Sequence, residues 1–134
     1  MIAANPKIER LMLAMAEHEG WEPPTATGAE YGSRAYRHHN PGNLRASPFA
    51  STVVDDFAVF RNDMVGWMAF HWDLMQKARG QTVTKLGPKS TLRELIFTWA
   101  PPSDNNNSEA YLQSVVKKSG LSENITLGEI FSMQ

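Results

Sequence analysis

The sequence predicts an α+β fold that is mostly α-helical, with about five helices and a small antiparallel sheet after the first helix. Apolar residues recur with the helical period over residues 6–19 and 63–79. Two Thr-x-x-Glu sequences, starting at Thr91 and Thr126, have the capping-box spacing of helix N-termini. Residues 22–62 between the first two helices combine turn signals with short β-type runs. The length of 134 residues suits one domain, so a single domain over residues 1–134 is predicted.

The first helix is predicted to span residues 6–19. Pro6 suits a first helical turn, because its missing N–H would have no partner there. Gly20 is a natural stop, and Pro23-Pro24 prevent continuation. The apolar positions follow one helical face: Ile8, Leu11, Met12, Met15 and Ala16.

The following region predicts a turn and a small sheet. Asn40-Pro41-Gly42-Asn43 is a strong turn signal. The segments 43–47 and 51–60 are predicted as antiparallel strands, with Asp55-Asp56 at a hairpin turn.

Four further helices complete the prediction. Residues 63–79 are apolar on most sides, which is typical of a helix buried at the centre of a domain. Residues 92–100 form a helix that Pro101-Pro102 end. Residues 103–120 contain another that starts from Asn/Ser caps and closes at Gly120. A last short helix runs from the Thr126 cap through Phe131.

Composition excludes several classes of function. The net charge of −1 and pI of 6.4 do not form the basic footprint of a nucleic-acid binder. The chain has no Cys, so disulfides and thiolate metal sites are excluded. No apolar run reaches the length of a membrane span. No signal peptide is expected, since the N-terminus lacks a long apolar run behind a basic patch, and synthesis in the cytoplasm is expected.

One carboxylate of the first helix is predicted to point with the core side chains. On a helical wheel Glu19 falls about 20° from Ile8, between Met12 and Met15, whereas Glu17 falls about 180° away. Half-burial disfavours the ionised form of a carboxyl, as does the negative end of the helix dipole. A glutamic acid that keeps its proton can donate it to a leaving group.

Glu19 and the Asn-Pro-Gly-Asn turn each also have a purely structural explanation. Glu19 would otherwise curl into solvent at a fraying helix end, or form an ion pair with Arg45 or Arg34. The Asn-Pro-Gly-Asn turn offers amide and backbone groups of the kind that hold sugar hydroxyl and acetamido groups. Its simpler interpretation is a turn in which Asn43 caps a strand.

Four stretches in order resemble a group of phage and prophage proteins of the lysozyme-like superfamily. They are "AEHEGW", "SRAYRHHNPGNLR", "FAVFRNDMVGWMAF" and "TLRELIFTWAPPSDNNNSEAYLQSV", which together cover most of residues 8–117. In that group a helix ends in Glu-Gly and is followed by an Asn-Asn-Pro-Gly-Asn-Ile/Leu turn, an aromatic helix with a Gly-Trp/Ile step, and a Trp-Ala-Pro-Pro segment. The order of the four motifs is more specific than any one of them. His39 stands where the group often has Asn.

This resemblance implies a lysozyme-like fold and cleavage of the β-1,4 bond between N-acetylmuramic acid and N-acetylglucosamine in peptidoglycan. It implies that Glu19 is the catalytic acid, the same residue that the wheel selects. Asn43 and Arg45 are the best candidates for groups near Glu19. No cofactor is implied, the partner is the peptidoglycan glycan strand, and a monomer is expected. An endolysin of this kind would reach the wall through phage or secretion machinery.

A second acid is harder to assign. Hydrolases of this class normally pair two carboxyl groups, and the candidates are Glu30, Asp55 and Asp56. Without a partner acid the chemistry would be that of a lytic transglycosylase, in which the sugar's own 6-hydroxyl closes an anhydro ring. The alternative function is a non-catalytic peptidoglycan-binding or virion structural module of the same fold.

Further polar and aromatic residues have both a structural and a functional interpretation. Asn106 is a candidate substrate contact or part of a helix cap, and Tyr111 is either a substrate contact or a core residue. Trp99 suits the core better than a cleft. A zinc site is not predicted, because "HEGWE" lacks the second His of the H-E-x-x-H spacing and neighbouring His38 and His39 would point apart on a strand.

Overall fold

The computed structural model describes residues 5–23 and 32–133. The described residues are mostly helical with one two-stranded antiparallel sheet, as predicted. In chain order the elements are α1 (Pro6–His18), α2 (Arg34–Arg37), β1 (Thr52–Val54), β2 (Phe57–Val59), α3 (Asp63–Ala78), α4 (Leu92–Trp99), a 3-10 helix (Pro102–Asp104), α5 (Ser108–Ser119) and α6 (Leu127–Ile130).

The prediction of about five helices missed α2, so the described ranges contain six α-helices and the sheet follows α2 rather than α1. A helix of four residues is too short to show a periodic pattern. Its visible signal is the N-cap Ser33, whose side chain accepts a hydrogen bond from the Tyr36 amide.

The chain divides into two compact units. Among the described residues, the first unit comprises 15–23 and 32–73, and the second comprises 5–14 and 74–133. The prediction of a single domain stays a prediction. No helix within the described ranges has both the length and the apolar composition to cross a membrane.

The hairpin of the first unit confirms the predicted turn at Asp55-Asp56. Val54 pairs with Phe57, and both Asp residues have positive φ, +53° and +67°. Two successive left-handed residues in a two-residue loop are typical of a type I′ turn, which matches the twist of antiparallel strands. The prediction of a strand over residues 43–47 is wrong, because this segment has no strand pairing. Its backbone contact with β2 is a hydrogen bond from the Ala58 amide to the Leu44 carbonyl.

The prediction that residues 63–79 form a helix buried on most sides is correct for one face of the helix and wrong for the other. One face of α3 is buried, including Phe70, Leu74 and Ala78. The other face is exposed, with Met64 71%, Met68 39% and Trp72 39% accessible. Apolar residues on both faces do not distinguish a central helix from a surface helix with an apolar outer face.

The second unit confirms the predicted caps. Both capping boxes, Thr91 with Glu94 and Thr126 with Glu129, form as the spacing indicates. Asn107 caps α5 by accepting from the Ala110 amide, so the helix starts at Ser108, directly after the predicted Asn/Ser caps. The core of this unit is apolar: Ile8, Leu11, Met12, Ala14, Leu74, Ala78, Leu86, Leu92, Leu95, Ile96, Leu112, Val115, Leu121, Leu127, Ile130 and Phe131.

Candidate active site

Glu19 lies directly after α1 and is half-buried, whereas Glu17 is exposed, as the wheel predicts. The chain turns here through a pair of backbone hydrogen bonds, from the Gly20 amide to the Glu17 carbonyl (3.1 Å) and from the Trp21 amide to the Ala16 carbonyl (2.9 Å). This pair is the Schellman motif, with Gly20 at φ +86° in the left-handed position that favours glycine. The local sequence Glu-Gly-Trp therefore sets where the Glu19 side chain leaves the helix.

Asn43 is brought to Glu19 across 24 residues of sequence. Its Nδ2 donates to Glu19 Oε1 at 3.3 Å. Asn43 closes the predicted turn, since its amide donates to the Asn40 carbonyl at 3.0 Å, and its φ of +50° is one that Asn tolerates.

Asn40 anchors the same turn from inside the first unit. The side chain is buried at 1% exposure. Its Nδ2 donates to the carbonyls of Leu44 (2.8 Å) and Ala58 (2.9 Å), and its Oδ1 accepts from the Leu44 amide (2.9 Å). Three hydrogen bonds at a buried amide hold the turn against β2. The sequence pattern predicted Asn40 only as a turn residue, although Asn at the first turn position commonly bonds nearby backbone groups.

The turn is also seated on α3. A Cβ placed on Gly66 would lie 1.8 Å from the His39 carbonyl oxygen, so only glycine permits this approach. His39 has φ +52°, and its Nδ1 lies 2.6 Å from Asp63 Oδ1 at the start of α3. His and Asn are both enriched at positive φ among non-glycine residues. This backbone position therefore suits His as well as Asn.

A cluster of aromatic side chains lies in the same unit as Glu19. The ring centroid of Trp21 is 5.1 Å from that of Tyr36 and 5.6 Å from that of Trp67, and Trp67 lies 6.2 Å from Phe70. Trp21, Tyr36 and Trp67 are only half-buried. Partly exposed rings offer flat apolar faces to a ligand. No local sequence pattern predicts this cluster, although Trp21 and Trp67 each follow a glycine that the structure requires.

Arg45 is exposed, and its described contact is with an aromatic ring. Its guanidinium carbon lies 4.6 Å from the Phe57 ring centroid, and that of Arg34 lies 3.7 Å from the same centroid. The ion pair of Glu19 with either arginine, which the sequence left open, is not among the ion pairs of the described residues.

Two predicted contact residues belong to the second unit. Asn106 is exposed, and its Nδ2 donates to the Pro101 carbonyl at 3.1 Å. Tyr111 is only 4% exposed, as the core alternative predicts. The N-cap of α5 is the neighbouring Asn107.

The candidate second acids differ in placement. Asp55 and Asp56 are both exposed at the hairpin turn, where their backbone conformation explains their presence. Glu30 lies outside the described residues. Asp is one of the residue types found at such left-handed turn positions, and the assignment of a second acid stays a prediction.

The histidines have different surroundings. His38 is buried with Nδ1 3.3 Å from the Ala58 carbonyl oxygen, and His39 contacts Asp63. Across residues 5–23 and 32–133, no group of three or more His, Asp and Glu side chains is arranged to hold a metal ion.

Comparison with known proteins adds no relative. No family model matches the sequence, and neither a curated protein nor a solved structure matches it significantly. The resemblance to lysozyme-like proteins therefore remains an inference from the four quoted motifs.

Proposed function

We propose that this chain is a peptidoglycan-cleaving enzyme in which Glu19 is the general acid for the β-1,4 bond between N-acetylmuramic acid and N-acetylglucosamine. The observation that carries the proposal is the half-buried carboxyl at the end of α1, held by the Asn43 amide at 3.3 Å. The end of α1 orients Glu19, and the turn that the buried Asn40 anchors orients Asn43, before any ligand binds. The four sequence motifs support the same substrate.

In this proposal the Glu19 proton passes to the glycosidic oxygen as the bond from that oxygen to the anomeric carbon breaks. Either water or the sugar's 6-hydroxyl then attacks the anomeric carbon, and its proton returns to the carboxylate. Water gives a reducing end, and the 6-hydroxyl gives a 1,6-anhydro end. The partly exposed rings of Trp21 and Trp67 would contact the apolar faces of the sugar rings.

The test compares Glu19→Gln with wild type on purified cell-wall sacculi. General acid catalysis contributes a rate factor of about 10² to 10⁴. The rate at which the variant clears the suspension is therefore expected to be lower by that factor. Glu17→Gln is the matched control, because it makes the same change on the exposed face of the same helix. Thermal unfolding checks that both variants are folded, and mass spectrometry of the products separates anhydro from reducing ends.

Equal clearing by wild type and Glu19→Gln would remove Glu19 from the chemistry. A wild type that binds insoluble peptidoglycan without cleaving it would instead support the non-catalytic module of the same fold.

A further inference from the structure

The Arg34–Phe57–Arg45 cluster places two guanidinium groups on one aromatic ring. Their carbons lie 3.7 and 4.6 Å from the Phe57 centroid, so they are at most about 8 Å apart across the shared ring. Each cation is attracted to the ring, but the two positive charges repel each other. Such an arrangement is stabilised when an anion lies near both.

No protein carboxylate among the described residues supplies that anion. Neither Arg34 nor Arg45 is within ion-pair distance of an Asp or Glu of the described residues. The Arg34 Nε is buried without a hydrogen-bond partner, and an unsatisfied buried donor carries a desolvation cost. Three arginines lie in residues 31–54, a stretch without Asp or Glu that Glu30 precedes and that Asp55 and Asp56 follow.

The cluster lies close to the candidate active site along the chain. Arg45 is two residues from Asn43, so their Cα atoms are at most about 7 Å apart, and Asn43 contacts Glu19. A glycan strand held at Glu19 would carry its substituents toward this region. The anionic groups that peptidoglycan has, and neutral β-1,4 N-acetylglucosamine polymers lack, are the carboxylates of its stem peptides.

We infer that Arg34 and Arg45 form a binding site for a stem-peptide carboxylate of peptidoglycan. The inference rests on the proposed function and names the feature of the substrate that the site selects. Guanidinium groups present planar forks of N–H donors that match a carboxylate. The Phe57 ring contacts both guanidinium groups and restricts their positions.

The test measures binding of a soluble disaccharide muropeptide, N-acetylglucosaminyl-N-acetylmuramyl-peptide, by titration calorimetry. This probe lacks the bond that the proposed enzyme cleaves, so wild-type protein is used and the result does not depend on turnover. The free acid is compared with the same muropeptide after methyl esterification of its carboxyls. We expect the free acid to bind about ten- to a hundred-fold more tightly, the range of one or two charge-assisted hydrogen bonds.

Arg45→Gln is the main variant, because the Arg45 side chain is exposed and its loss leaves the core intact. We expect it to remove most of the preference for the free acid and to leave ester binding unchanged. Arg34→Lys keeps the charge but loses the fork, and is expected to weaken free-acid binding as well. Arg61→Gln, which removes an exposed arginine of the same unit, is the matched control and is expected to retain the preference.

Three results would overturn the inference: equal binding of acid and ester by wild type, an unchanged preference in folded Arg45→Gln, or an equal loss in Arg61→Gln. Glycerol phosphate serves as a probe for wall phosphates, and tighter binding of it than of the free-acid muropeptide would contradict the assignment to a carboxylate. Failure of Glu19→Gln to slow clearing leaves these binding results standing, so the two proposals are tested separately.

Discussion

Gly66 is the residue on which the position of the Asn43 turn most directly depends. Its hydrogen occupies the space in which a Cβ would meet the His39 carbonyl oxygen at 1.8 Å. This close approach joins α3 to the turn that presents Asn43 to Glu19. One missing side chain therefore affects the geometry of the candidate active site.

Gly66→Ala is expected to destabilise the protein by about 3 kcal/mol, the upper part of the range for overpacking, because the contact is with backbone rather than with a flexible side chain. It is also expected to reduce wall-clearing activity in the protein that remains folded, since the turn must shift. Chemical denaturation and the clearing assay measure the two effects. Gly87→Ala is the matched control, because a Cβ there meets nothing within 4 Å. A Gly66→Ala protein as stable as this control would show that the turn does not depend on the close contact.

Glu19 and Asn43 differ in how far the sequence predicts them. The direction of Glu19 follows from hydrogen bonds within six residues, between Ala16 and Trp21. A helical wheel and the helix-ending Gly20 are therefore enough to identify Glu19 from the sequence. The contact with Asn43 spans 24 residues, and no local pattern contains it.

At the scale of elements, the hairpin β1–β2 carries a turn that suits its backbone but does not use the most favourable residues. Asp55 and Asp56 both adopt positive φ. Type I′ turns are dominated by Asn-Gly, because these residues reach left-handed conformations at the lowest cost.

The double variant Asp55→Asn/Asp56→Gly is therefore expected to raise the free energy of unfolding by about 0.5–1 kcal/mol, as measured by denaturant titration. It also removes both carboxylates, so it tests them as the second acid. We expect the variant to keep its clearing activity, because the turn conformation explains the two residues. A folded variant with strongly reduced clearing would assign the second acid to this turn.

The helix ends were predictable as elements because their signals are local. The capping boxes at Thr91 and Thr126 form from side chains three residues apart. The outer face of α3 was not predictable, because Met64, Met68 and Trp72 have the composition of a core face. What covers a helical face depends on segments elsewhere in the chain.

At the scale of the molecule, three segments of the second unit meet at Arg93 of α4. Its guanidinium donates two hydrogen bonds to Glu109 of α5, at 2.8 and 3.1 Å, and one to Glu123 at 2.9 Å. These hydrogen bonds hold the pKa of the Glu109 carboxyl below its ordinary value, with a further contribution from Gln113. The same bonds raise the pKa of Arg93.

A lowered pKa in the folded state means that Glu109 contributes stability above about pH 4.5, the ordinary value, and that this contribution is lost as the pH falls through the lowered value. The effect is expected to be small, because the groups are exposed and screened by solvent. In Arg93→Met the pKa of Glu109 is expected to rise toward its ordinary value in an NMR titration. The stability difference between wild type and variant is expected to shrink below about pH 4.5. A Glu109 pKa that stays low in the variant would show that Arg93 is not its cause.

The sequence by itself determined the helix ends, the hairpin turn and the exit of Glu19 from α1, because each depends on hydrogen bonds between residues close along the chain. Only the tertiary structure decided that Asn43 reaches Glu19, that Asn40 is the buried anchor, that Arg34 and Arg45 share the Phe57 ring, and that Tyr111 is buried. These features depend on packing between segments distant in sequence, where the pattern of residue types is the same for several possible neighbours.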